Sequence, residues 1–144
     1  MELRTILYVE DSKLDVELTL EVLKDSKILN PVVLAKDGVE ALQYLQREGE
    51  YSDHKPGNPG IILLDLKMPR MDGLEFTKIV KNDEKFKYIP IIMLTSSREE
   101  KDLVKSYQLG VNAYVVKPVD FTDFTEIVRQ TGVFWAIINE LPAE

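Results

Sequence analysis

At 144 residues the chain is the size of one ordinary domain, and its 44% hydrophobic content is that of a folded protein rather than a disordered one. The absence of cysteine excludes disulfides, thiol chemistry and thiolate zinc sites, and apolar runs of about five residues are too short to cross a bilayer. A formal net charge of −7 opposes binding to phosphate backbones, so neither nucleic acid nor membrane is an expected partner. The N-terminal Met1-Glu2-Leu3-Arg4 lacks the apolar core of a signal peptide, and the expected location is cytoplasmic.

Ile6-Leu7-Tyr8-Val9 reads as a short strand ending at Glu10-Asp11. Ser12 can cap the next segment, in which Leu14, Leu18 and Val22 recur at helical spacing. Pro31 to Ala35 reads as a second strand, and Val39, Leu42 and Leu45 mark a second helix after Asp37-Gly38. The stretch from Gly49 to Gly60 is rich in Gly and Pro and reads as a surface loop; it contains His54, the only histidine, read as solvent-exposed. Ile61-Ile62-Leu63-Leu64-Asp65 is a continuous apolar run closed by one carboxylate, the pattern of a strand buried on both faces. Leu74 to Val80 forms a third helix and Ile89 to Leu94 a fourth strand. Arg98 to Leu109 reads as a helix stopped by Gly110, Ala113 to Val116 as a fifth strand, and Asp120 onward as a last helix. Five strands alternating with five helices predict an α/β fold, a doubly wound parallel sheet with helices on both faces.

In such a sheet the carboxyl ends of the strands lie along one edge. That edge would collect Glu10 and Asp11, then Asp65, then Thr95-Ser96, then Lys117-Pro118. Carboxylates brought so close repel one another and raise one another's pKa. A Mg²⁺ ion relieves the repulsion while keeping positions open for a phosphate oxygen. Lys117 can neutralise a second phosphate oxygen, and the Thr95 hydroxyl can donate to a third. Asp65 is then free to attack phosphorus, as carboxylates do in other phosphoryl carriers.

Taken in order, Glu10-Asp11, Asp65 with Met68-Pro69 and Asp72-Gly73, Thr95-Ser96, and Tyr114-Val115-Val116-Lys117-Pro118 resemble the response regulator receiver domain over nearly the whole chain. The resemblance implies the flavodoxin-like, five-stranded sheet of order 2-1-3-4-5. It implies phosphorylation of Asp65 by the phosphohistidine of a histidine kinase, with Mg²⁺ held by Glu10, Asp11, Asp65 and the backbone carbonyl of Lys67. Lys117 would pair with the phosphoryl group, Thr95 and Tyr114 would form the switch pair, and the Lys117–Pro118 peptide would be cis. Lys67 and Ser97 would border the attacking water's route.

The chain shows no linker and no second domain, so the resemblance narrows to stand-alone, chemotaxis-regulator-like receivers that act through an unidentified downstream protein. The long loop after the second helix, with Phe134-Trp135 near the end of an extended last helix, resembles regulators partnered with bacteriophytochromes. Self-association through that aromatic helix is the accompanying expectation. Three other readings compete. A haloacid-dehalogenase-type phosphatase needs a second acid two residues after its nucleophile, where Lys67 stands. A receiver-like scaffold would have lost an acid or the lysine. A nucleotide-binding flavodoxin-like protein would carry glycine where Glu10-Asp11-Ser12-Lys13 stand.

Overall fold

The computed structural model describes residues 4–53 and 57–131. Five strands, β1 (Ile6–Val9), β2 (Val32–Ala35), β3 (Ile61–Asp65), β4 (Ile91–Thr95) and β5 (Ala113–Val116), form one parallel sheet in the order β2-β1-β3-β4-β5. Helices α1 (Lys13–Asp25), α2 (Gly38–Gln46), α3 (Gly73–Lys81), α4 (Arg98–Ser106) and α5 (Phe121–Thr131) connect and follow them. A 3₁₀ turn spans Gly49–Tyr51.

Alternation along each strand sends its residues to opposite faces. Leu7, Val9, Ile62, Leu64, Ile91 and Met93 pack against Ala41, Leu45, Phe76, Val80 and Val104, so α2, α3 and α4 cover one face. Ile6, Tyr8, Leu63, Leu94 and Val115 pack against Leu23 and Phe124, so α1 and α5 cover the other. β1, β3 and β4 are buried along their whole length, whereas β2 and β5 are partly exposed, as edge strands are. Each large apolar side chain taken out of water here contributes about 1.5–3 kcal/mol.

Caps mark the helix starts. Ser12, Asp37, Asp72 and Ser97 each accept the backbone N–H three residues on, opening α1 to α4. Three boundaries or faces differ from the sequence reading. Leu14 and Leu18 are 64% and 42% exposed. The buried residues of α1 are Thr19 and Leu23, flanked by Val16 and Leu20, which with the expected Val22 are partly buried against the same core. Both stripes have helical spacing, and a polar residue disguised the true one. Thr19 is buried because its hydroxyl partners that of Tyr8 at 3.0 Å. α4 ends at Ser106 rather than Leu109: Tyr107 and Gln108 turn to tighter bonds, N–H to the carbonyls of Val104 and Lys105, and Gln108 adopts φ +50°. β4 begins at Ile91, after Pro90, which has no N–H to donate to the ladder.

The stretch after α2 is partly tied down. The Tyr51 ring meets Tyr44 edge-on at 5.4 Å, and its hydroxyl donates to Glu40 at 2.9 Å. His54 and the Phe134-Trp135 segment lie outside the described residues.

Candidate functional site

The ladder continues past the strand ends and fixes the residues that matter. Glu10 N–H donates to the Ala35 carbonyl at 2.9 Å, Leu66 N–H to Leu94 at 3.0 Å, and Lys117 N–H to Thr95 at 2.7 Å. Each side chain that follows β1, β3 or β5 therefore leaves from a backbone already locked in the sheet. The Lys117–Pro118 peptide is cis.

Glu10, Asp11 and Asp65 each offer one carboxylate oxygen, and these three atoms lie within 4.8 Å of one another. Glu10 and Asp65 are buried, while Asp11 is exposed. Burial, followed by the charge of Asp65, pushes Glu10 from an ordinary 4.5 up to about 7. Burial also raises Asp65, against the opposing pull of Lys117. Three hard oxygen donors in a compact group suit a divalent cation that takes carboxylate ligands, and such an ion would relieve the repulsion that raises these pKa values.

Lys117 reaches into the group from β5. Its Nζ lies 3.0 Å from Asp65 Oδ1, 3.3 Å from Glu10 Oε1 and 2.9 Å from Asp15 Oδ2. Burial works against its charge, but hydrogen bonds to Asp15 and Asp65 prevail and hold its pKa above the usual lysine value. Asp15 was not singled out in the sequence. On α1 it reads as one more solvated charge, and only the fold carries it across to Lys117.

Thr95 ends β4 fully buried, and its hydroxyl makes only long contacts, 3.4 Å to the Ser97 carbonyl and 3.5 Å to that of Val115. A hydroxyl held this loosely is free to turn to a better acceptor. Tyr114 is half-buried against the core and borders a groove of about 380 Å³ between α4 and α5, with Arg98, Lys101, Asp123, Glu126 and Ile127.

The loop from β3 to α3 is fastened at several points. Gly73 N–H donates to Leu66 at 2.7 Å, and Gly38 N–H donates to the Met71 carbonyl at 3.1 Å. Arg70, at φ +61°, grips Asp37 through two hydrogen bonds of 2.7 and 3.1 Å. Lys67, two residues past Asp65, is exposed and pairs with Glu100 at 3.1 Å. Glu100 also accepts the Ser96 N–H at 2.8 Å, and Ser97 rather than Ser96 caps α4. The Asp37–Arg70 and Lys67–Glu100 pairs went unread in the sequence; their partners stand on different elements and share no local spacing.

Among the described residues no helix is long and apolar enough to cross a membrane. The sequence profile of the response regulator receiver domain matches residues 6–129. The chain is 41% identical over 140 residues to response regulator Rcp1 of Synechocystis sp., covering 97% of this chain and 94% of that one. It is 54% identical to the bacteriophytochrome response regulator AtBRR, covering 97% of this chain and 100% of that one, with a TM-score of 0.88. The manganese-bound form of Rcp1 is 40% identical over 97% of this chain and 99% of that one, with a TM-score of 0.73. A sheet of order 2-1-3-4-5, an acidic group at its carboxyl edge and this likeness over almost the full length give one conclusion: the chain belongs to the response regulator receiver family of two-component signalling.

Proposed function

We propose that Asp65 is the phosphoacceptor of a switch that a histidine kinase sets. The observation that carries this reading is the placement of the Asp65 carboxylate, 3.0 Å from the Lys117 ammonium and within the same 4.8 Å group as Glu10 and Asp11. An Asp65 oxygen attacks the phosphorus of the kinase phosphohistidine. A P–O bond forms as the P–N bond breaks, and the imidazole leaves with the electron pair and takes up a proton. Glu10, Asp11, Asp65 and the Lys67 carbonyl would hold Mg²⁺, and the manganese-bound form of Rcp1 supports a divalent ion in this family. When bound, the cation offsets charge on the transferring phosphoryl oxygens.

Lys117 pairs with the phosphoryl group, and the loosely held Thr95 hydroxyl turns to donate to it. Movement of Thr95 opens room for the Tyr114 ring, which changes the groove between α4 and α5. The phosphoryl group thereby shifts the population between two conformations by contacts made in only one of them. Hydrolysis of the acyl phosphate by water resets the switch, with Lys67 and Ser97 bordering the approach.

The chain works as a single cytoplasmic receiver domain whose output is a contact with another protein or with a second copy. The bacteriophytochrome response regulators it resembles support a bacteriophytochrome-type kinase as donor.

Incubation with acetyl phosphate and Mg²⁺, read by intact mass, tests the assignment. One phosphoryl group is gained by the wild type and none by Asp65→Asn. Label retained in the variant, or none in the folded wild type with either acetyl phosphate or a phosphohistidine donor, overturns it.

A further inference from the structure

The geometry points to Asp15 as a positioning residue for phosphoryl transfer, an anchor that keeps the Lys117 ammonium beside Asp65 once a divalent cation has taken the acidic pair. This rests on the phosphoacceptor reading of Asp65. An ammonium has three N–H donors, and the three carboxylates of Glu10, Asp15 and Asp65 lie at 3.3, 2.9 and 3.0 Å from Nζ. Two of those carboxylates belong to the group that a cation would occupy. A dication there weakens their hold on Lys117 and repels the ammonium directly, and the burial of Glu10 and Asp65 limits how far solvent screens that repulsion. Asp15 is the partner outside that group.

Its placement is built in at the start of α1. The Asp15 N–H donates to the Ser12 hydroxyl at 3.2 Å, and the Asp15 carbonyl accepts from the buried Tyr8 hydroxyl at 3.3 Å. With its backbone held at both ends, the carboxylate has a fixed point of departure. An acid three residues after a Ser cap ordinarily turns back toward the cap's own backbone N–H. Here the Ser12 N–H faces Glu10 Oε2 at 3.4 Å, and the Asp15 carboxylate reaches across to β5. Glu100, at the same position of α4, turns back to the Ser96 N–H instead. Anchored by one donor to Asp15, Lys117 keeps two donors for phosphoryl oxygens.

The test compares the full chain with Asp15→Asn and Asp15→Glu. Initial rates of labelling from acetyl phosphate are read at saturating Mg²⁺, beside the Mg²⁺ titration, the melting curve and the ¹⁵Nζ signal of Lys117 with Mg²⁺ alone. Asp15 is partly exposed, so the near-isosteric amide folds, and the melting curve checks that it does. Asp15→Asn slows labelling roughly tenfold, with half-saturating Mg²⁺ changed by less than about threefold, and Asp15→Glu recovers most of the rate. The slowly exchanging Lys117 ammonium signal of the wild type broadens away in Asp15→Asn. Labelling at the wild-type rate, slowing that disappears as Mg²⁺ is raised, or a Lys117 signal unchanged in Asp15→Asn overturns the anchor. A wild type that takes no label on Asp65 fails the phosphoacceptor reading instead, while the ammonium signal still reports on Asp15.

Discussion

Asp37 and Arg70, 33 residues apart, meet in a two-pronged ion pair, with Nε 2.7 Å from Oδ2 and Nη2 3.1 Å from Oδ1. The pair ties the start of α2 to the loop that follows Asp65. Its two ends differ in exposure, 4% for the Asp37 side chain and 57% for that of Arg70.

That asymmetry predicts unequal costs. Burial disfavours the Asp37 charge, but Arg70 and the Glu40 N–H outweigh it and lower its pKa. Asp37→Ala removes both the α2 cap and the ion pair, and should cost about 1–2 kcal/mol in urea unfolding. Arg70→Ala should cost less than Asp37→Ala, because water screens its guanidinium. Equal losses for the two variants would refute the reading. Because the folded pKa is depressed, this contribution is present above the ordinary aspartate value and fades as pH falls below it.

Glu10 behaves in the opposite sense. Its folded pKa of about 7 lies above its ordinary 4.5. A raised carboxylate pKa contributes stability that is full below the unfolded value and lost as pH rises through the folded one. In EDTA the chain should therefore be less stable near pH 8 than near pH 5, by on the order of 1–3 kcal/mol. Millimolar Mg²⁺ should recover most of that loss. Glu10→Gln should flatten the profile and gain stability near pH 8 in EDTA. A wild-type stability that rises across this window, measured by urea titration at several pH values, would contradict the assignment.

Gly73 allows the backbone after β3 to fold back on itself. A Cβ there would stand 2.7 Å from the Asp65 carbonyl oxygen and 3.0 Å from Leu66 Cα. Both are backbone atoms, so no side chain can swing aside. Gly73→Ala should destabilise the fold by about 1–3 kcal/mol and displace Asp65 as the strand end yields. Its labelling by acetyl phosphate should fall at least tenfold at a temperature where the variant remains folded. A variant with wild-type melting temperature and labelling would show that the strand end tolerates the extra carbon.

The strands and the acidic edge were legible from the chain alone. β3 stood out because five apolar residues end abruptly on Asp65, and parallel strands bring such endings to one edge. Glu10, Asp11 and Lys117 followed from the same rule, and the structure sets them at that edge. What the sequence determined by itself was thus local: apolar runs, caps, and the polar residues that end strands. Only the tertiary structure decided the phase of α1, where two stripes had helical spacing and the hydroxyl of Tyr8 made a buried place for Thr19. The Asp15–Lys117 and Asp37–Arg70 contacts likewise join elements far apart in the chain. Their strength depends on distance and burial in three dimensions, and neither quantity is carried by spacing along a sequence.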